Sequence, residues 1–219
     1  MNTVKNIIIV TSVIDLPNSV YNRSERFIQT QNTLDTLKKI PDSFIIFIDI
    51  SDFSDDELIY FNSICDLVIN ESKNKEFVSK IRHEKSFGES CYLLRCLEEI
   101  RNLKYTIPNL KSIFKVSGRY YLDDNFNYLD YDNDKNVVKI VDEKLWKNAC
   151  TSCLFKLSVN EMDNFYNLLL LYQNQIYFSQ MCMENFMFVY ISQTDPSKYI
   201  DIPTLGMSGF VANGIFGSC

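Results

Sequence analysis

Long apolar runs, glycine and histidine are all scarce in this sequence, and each scarcity excludes something. Clean apolar stretches such as Leu168 to Leu171 fall far below the roughly 20 residues needed to cross a bilayer, so no transmembrane segment is expected. The first residues, Met1 to Lys5, run straight into Ile7 to Val10, too short and wrongly flanked for a signal peptide and without a myristoylation pattern. The expected compartment is therefore the cytoplasm. With only six glycines, the chain contains neither GxGxxG nor GxxxxGK[ST], which removes the dinucleotide fingerprint and the P-loop.

Histidine occurs once, as His83, so the CxxC pair Cys150 and Cys153 has no second Cys or His pair with which to hold zinc. Seven cysteines, an odd number set mostly among apolar neighbours, fit reduced thiols rather than a disulfide framework. A net charge of -6 with a pI near 4.9 argues against nucleic acid as a partner, because phosphate backbones require a clustered positive surface. Lys80, Arg82, His83 and Lys85 nevertheless form a local basic spot able to hold one small anion.

What is present is an ordinary globular composition, 46% hydrophobic and 23% charged, in a chain of 219 residues that can bury one self-sufficient core. No repeat, low-complexity block or Pro/Gly/Ser-rich linker divides it, so 1–219 reads as one domain. Ile7 to Val10 and Phe44 to Ile48 are continuous β-branched and aromatic runs, the pattern of parallel strands covered on both faces. Leu67 to Ile69 and Ile113 to Val116 are shorter candidates.

Between these runs the capping pairs Ser54 with Glu57, Ser86 with Glu89 and Ser158 with Glu161 mark helix starts. A helix from about Glu25 to Ile40 carries Phe27, Leu34, Leu37 and Ile40 at helical spacing and stops at Pro41. The alternation predicts a mostly parallel sheet through Val116 with ligands beyond the carboxyl ends of its strands. Strands at Val137 to Val141 and Cys153 to Leu157, then two helices, make the expected sheet mixed.

Candidate chemistry gathers at those strand ends. Thr11 ends the first strand, and a long loop leads to the helix that contains Arg26. Asp49 follows the second strand, where its carboxylate serves either a ribose or the turn itself. Lys85, Gly88 and Glu89 open a helix whose N-terminus suits a diphosphate, although a plain capping box explains Ser86 and Glu89 equally well. A glycine in that first turn, Gly88, suggests close approach by something. Ser117, Gly118 and Arg119 end the fourth strand, and Arg119 is either a phosphate-binding cation or half of a structural ion pair.

Glu184 is the single charge in Phe178 to Ile191. A carboxyl in apolar surroundings is pushed toward working pH, as a general base requires, and a polar stripe with Gln180 and Asn185 is the alternative. Met207, Phe210, Val211, Ile215 and Phe216, set among the four glycines of the tail, read either as a flap over a ligand or as a packed terminus.

The text "SVYNRSERFIQTQNTLDTLKKIPDSFIIFID", "KSFGESCYLL" and "FKVSGRYYLDDNF" resembles small GT-A glycosyltransferases of microbes and large DNA viruses, over about residues 7 to 190. The Asn-, Ile-, Lys- and Tyr-rich composition agrees with an AT-rich genome, and a viral source would place the protein in the host cytoplasm. The resemblance implies a GT-A-like, Rossmann-like three-layer α/β sandwich with a mostly parallel mixed sheet and helices on both faces. It also implies a nucleotide-binding half, 1–116, and an acceptor half, 117–219.

The implied activity is transfer of a sugar from a nucleotide-diphosphate donor, a UDP-sugar first, to a hydroxyl of a glycan or glycoprotein. Thr11, Arg26, Asp49, Lys85, Gly88, Glu89, Ser117 and Gly118 would bind the donor, and Glu184 and Arg119 would act in catalysis. In this family the strand ends in a DxD motif that holds Mn²⁺ or Mg²⁺; here Ser117-Gly118-Arg119 stands in its place. Arg119 substitutes for the metal, or Asp123 and Asp124 supply its site. The alternative is a catalytically inactive carbohydrate- or nucleotide-binding protein of the same fold.

Overall fold

A computed structural model describes residues 3–17, 19–210 and 216–218. The apolar runs form the strands their β-branched content predicts: β1 (Asn6–Thr11), β2 (Ser43–Asp49), β3 (Leu67–Asn70) and β4 (Ser112–Ser117). These four lie side by side in the order β3-β2-β1-β4, and all three pairings are parallel. The sheet then turns mixed. β7 (Leu154–Ser158) pairs antiparallel with β4, β6 (Asn136–Val138) antiparallel with β7, and β8 (Tyr199–Asp201) parallel with β6.

Helices cover both faces. α1 (Arg23–Thr36) and α2 (Asp55–Ile64) pack on the side of Ile8, Val10, Phe47, Phe114 and Val116. On the opposite side, α3 (Lys75–His83), α4 (Lys85–Leu103), α5 (Met162–Ser179) and α6 (Met183–Gln193) cover Ile7, Ile9, Ile48, Ile113 and Phe155. β1 is buried along its whole length, which explains its unbroken apolar run.

Local chemistry sets the helix starts, and two of the expected caps are corrected. Ser54 and Glu57 form the predicted capping box, and Asn22 with Glu25 forms another that starts α1 two residues earlier than expected. In α4, however, the cap is Glu84, whose carboxylate accepts from the Phe87 amide at 2.7 Å. Ser86 thus falls inside the helix and Glu89 is released from capping. Ser158 makes no capping bond either; Glu161 instead pairs with Lys198 at 2.8 Å.

Three short strands escape periodicity altogether. β5 (Tyr120–Leu122), β9 (Met207–Phe210) and β10 (Phe216–Ser218) make a second antiparallel sheet. Gly206, at φ +66°, turns the chain into β9 against the Phe126 backbone, a conformation and a closeness that exclude a side chain. Met207 is fully buried in the α1-side core, so the start of the tail is packed rather than flap-like; Val211 and Ile215, and the side chains of Phe210 and Phe216, lie outside the described residues.

Candidate functional site

Beyond the carboxyl ends of β1 and β4, a cavity of about 390 Å³ opens between the β1–α1 loop and the α3–α4 junction. That is within the roughly 300–1,000 Å³ typical of small-molecule sites. It is built from three pieces: the end of β1, the end of β4, and the two helices that meet at Glu84. Eight of the ten sequence candidates line it: Thr11, Arg26, Lys85, Gly88, Glu89, Ser117, Gly118 and Arg119. Arg82 and His83 of the basic spot line it too, whereas Lys80 pairs with Glu76 at 2.7 Å and stands apart.

The turn after β4 is held from two directions. The Gly118 amide donates to the Thr11 carbonyl at 2.9 Å, and the Gly118 carbonyl accepts from Thr30 at 3.1 Å. A Cβ on Gly118 would lie 3.0 Å from that of Ser12, so the two strand ends approach through this glycine. The turn projects Arg119 into the cavity, half-buried, opposite Arg26. Arg26 is 7% exposed and donates to the Val13 carbonyl and to Ser19. Burial, and next the charge of Arg119, lower its pKa to about 10. Among the described residues neither guanidinium forms a salt bridge.

The helical wall explains Gly88 without a ligand. A Cβ there would meet the Ile81 carbonyl oxygen at 2.6 Å, so what approaches is the backbone of α3 packed on α4. His83 closes the junction by stacking on Tyr177, with ring centroids 4.5 Å apart. Glu89, one turn into α4, is bound by Lys115, a fully buried residue of β4 that sequence reasoning passed over. The signal was a lone charge inside the apolar run Ile113 to Val116.

Asp49 and Glu184 do not line the cavity. Asp49 is fully buried beneath the β1–α1 loop, where Oδ2 accepts from the Ile14 amide at 3.0 Å and Oδ1 from the Ser51 amide at 2.6 Å. Burial pushes its carboxyl up, and hydrogen bonds from Ser51, Ile14 and Ser12 oppose that. Its position fits the turn alternative: it shapes the loop that carries Ser12 and Val13. Glu184 is half-buried in the first turn of α6, accepts from the Ser152 hydroxyl at 2.7 Å, and is not enclosed by the apolar face that Phe186, Met187 and Tyr190 turn to the core.

Asp123 and Asp124 are also elsewhere. Asp123 accepts from Ser208 at 2.6 Å and from the Asn125 amide at 2.8 Å, and Asp124 lies near Lys39. No family model matches the sequence, and no curated protein matches it. Solved structures do. Core-mannan synthase A of Aspergillus fumigatus, in a Mn/GDP form, superposes with a TM-score of 0.55 over 93% of this chain and 73% of that one, at 9% identity.

The fold is GT-A-like. Lower similarity, at TM-scores of 0.49, is found to mouse xyloside xylosyltransferase 1 (11% identity, 91% and 85% of the two chains) and to a glycosyltransferase involved in glycosylating the major capsid of PBCV-1 (8%, 90% and 81%). No helix among the described residues is long and apolar enough to cross a membrane.

The described lining of the cavity does not fit a divalent cation. The end of β4 offers a hydroxyl, a bare glycine and a guanidinium. Of the cavity carboxylates, Glu84 caps α4 and Glu89 is bound to Lys115. No group of three or more metal-binding side chains occurs among the described residues.

Proposed function

We propose that the protein is a glycosyltransferase that binds a nucleoside-diphosphate sugar, a UDP-sugar first among them, in this cavity and transfers the sugar to a hydroxyl of a glycan or glycoprotein. The observation that carries the reading is the pair Arg26 and Arg119, two like charges that line one cavity and repel each other, neither of them in a salt bridge among the described residues. Repulsion of this kind is relieved by a bound anion, and a diphosphate presents oxygens that guanidiniums grip bidentately. Arg82 and Lys85 add positive charge to the same cavity of an otherwise acidic protein.

In the transfer, the bond between the anomeric carbon and the diphosphate oxygen breaks and its electron pair goes to the diphosphate. Arg26 and Arg119 stabilise the charge that develops there. The acceptor hydroxyl forms the new bond to the anomeric carbon, and its proton ends on the released nucleoside diphosphate. With fixed guanidiniums in place, no divalent cation is required for this step. The fold similarity to nucleotide-sugar glycosyltransferases supports the same substrate class.

The test is a thermal-shift series with UDP-, GDP-, dTDP- and CMP-sugars, each with and without Mn²⁺, since a ligand specific to the folded state raises the melting temperature. One nucleotide family should stabilise the protein without metal. Arg119→Ala should weaken that ligand roughly 10- to 100-fold, the equivalent of one charge-assisted hydrogen-bonding group. Absence of any shift across the panel would sink the reading.

A second reading, binding without turnover, is favoured by the placement of Glu184 outside the cavity lining. It predicts nucleotide-sugar binding with no hydrolysis or transfer detectable in long incubations.

A further inference from the structure

Lys115 is hard to account for by folding alone. It occupies the middle of β4, its side chain is 1% exposed, and its side of the sheet carries the apolar Ile7, Ile9 and Ile113, with Thr11 and Ser117 only at the cavity end. A buried ammonium is tolerated only when paired and fully hydrogen-bonded. Its three protons meet three acceptors: the Glu89 carboxylate, the Ser117 hydroxyl at 2.7 Å and the Ser152 carbonyl at 2.6 Å. Two of those three residues, Glu89 and Ser117, line the cavity.

The pairing fixes how Glu89 presents itself. Oε1 is taken by Lys115, and no other hydrogen bond to this carboxylate is formed among the described residues, although it stands at the cavity wall with 12% of its side chain exposed. An ionised carboxylate only accepts hydrogen bonds, and it repels a diphosphate, so its free oxygen suits a neutral, hydroxyl-bearing part of a ligand. The cavity is thereby polarised. Arg26 is tied to Val13 and Ser19 on the β1–α1 side, while Glu89 is tied through Lys115 to β4 and to Ser152, on the side where the sheet continues toward α6.

We infer that Glu89 accepts hydrogen bonds from the ring hydroxyls of the transferred sugar and selects among sugars, with Lys115 as the positioning residue that holds it. This rests on the cavity being a nucleotide-sugar site. The discriminating experiment compares affinities for the bare nucleotides UDP and GDP with those for UDP-glucose, UDP-galactose and GDP-mannose, by calorimetry on the full chain. Glu89→Gln is the informative variant because the amide oxygen stays on Lys115 while a donor replaces the free acceptor.

In Glu89→Gln, the bare diphosphate should bind at least as tightly as to the starting protein and the matching nucleotide sugar at least tenfold more weakly. Equal losses for both ligands would place Glu89 on the nucleoside and overturn the inference, as would no loss for either. Failure of the starting protein to bind any nucleotide is a separate result, which removes the cavity reading and this inference with it. Lys115→Met should reproduce the selective loss of sugar affinity, and Lys115→Arg should rescue it. A purely structural lysine would lower the melting temperature without changing the ratio of the two affinities.

Discussion

Two fully buried lysines sit on neighbouring strands of one sheet and face opposite sides of it. Lys115 of β4 points to the α4 side and meets a carboxylate, a hydroxyl and a carbonyl. Lys156 of β7, paired with Phe114 next to Lys115 in the antiparallel register, points to the other side. Among the described residues it donates to the Asn133 carbonyl, at 2.6 Å, the Asn133 side chain and the Lys135 carbonyl, and to no carboxylate. Burial without a carboxylate in contact lowers the pKa of Lys156 to about 8, with Asp134 and Asp132 opposing from a distance. Equal burial thus gives one lysine a carboxylate partner at the cavity and the other carbonyl and amide oxygens away from it.

The sharpest way to break this comparison is Lys115→Met, which strands the Glu89 charge and should cost about 3 kcal/mol in urea unfolding. Adding Glu89→Gln should recover at least half of that loss, because no charge then lacks its partner. A double variant as unstable as the single one would show that the pair contributes by shape alone.

Lys156 gives a smaller effect with a defined sign. Its folded pKa of about 8 lies below the ordinary lysine value of 10.5, so between these pH values the unfolded chain binds more protons than the folded one. Stability contributed by this group therefore rises with pH across that window, by on the order of 1–2 kcal/mol. Lys156→Met should flatten the rise, measured as unfolding free energy at pH 7.5 and 10 against the starting protein.

The smallest effect tests how Glu89 comes to be available to Lys115 at all. Glu84→Ala removes the cap of α4 and should cost about 1 kcal/mol, whereas Ser86→Ala should change stability by no more than about 0.5 kcal/mol. The reverse ranking in thermal melts would restore Ser86 as the cap and return Glu89 to it.

Much of the frame was legible because it rests on local chemistry. The run Ile7 to Val10, Pro41 after α1 and the Ser54–Glu57 box each act within a few residues. The second sheet was not legible, since Tyr120 pairs with Gly209 far along the chain and neither strand exceeds four residues. The Ser86–Glu89 box failed for a definite reason: Glu84, two residues upstream, competes for the same helix start, and spacing alone does not rank the two. Asp49 stood rightly at a strand end, but only the packing of the β1–α1 loop above it decided that backbone amides use both of its oxygens.

By itself, then, the sequence determined the strands of the parallel half, the helices between them and that several cations gather near strand ends, because periodicity, capping and proline act over short separations. Only the tertiary structure decided partners. Arg26 faces Arg119, Glu89 meets Lys115 and Glu184 meets Ser152, because a charged group takes the partner that folding brings within about 3 Å and shields from water, and no sequence interval encodes that distance.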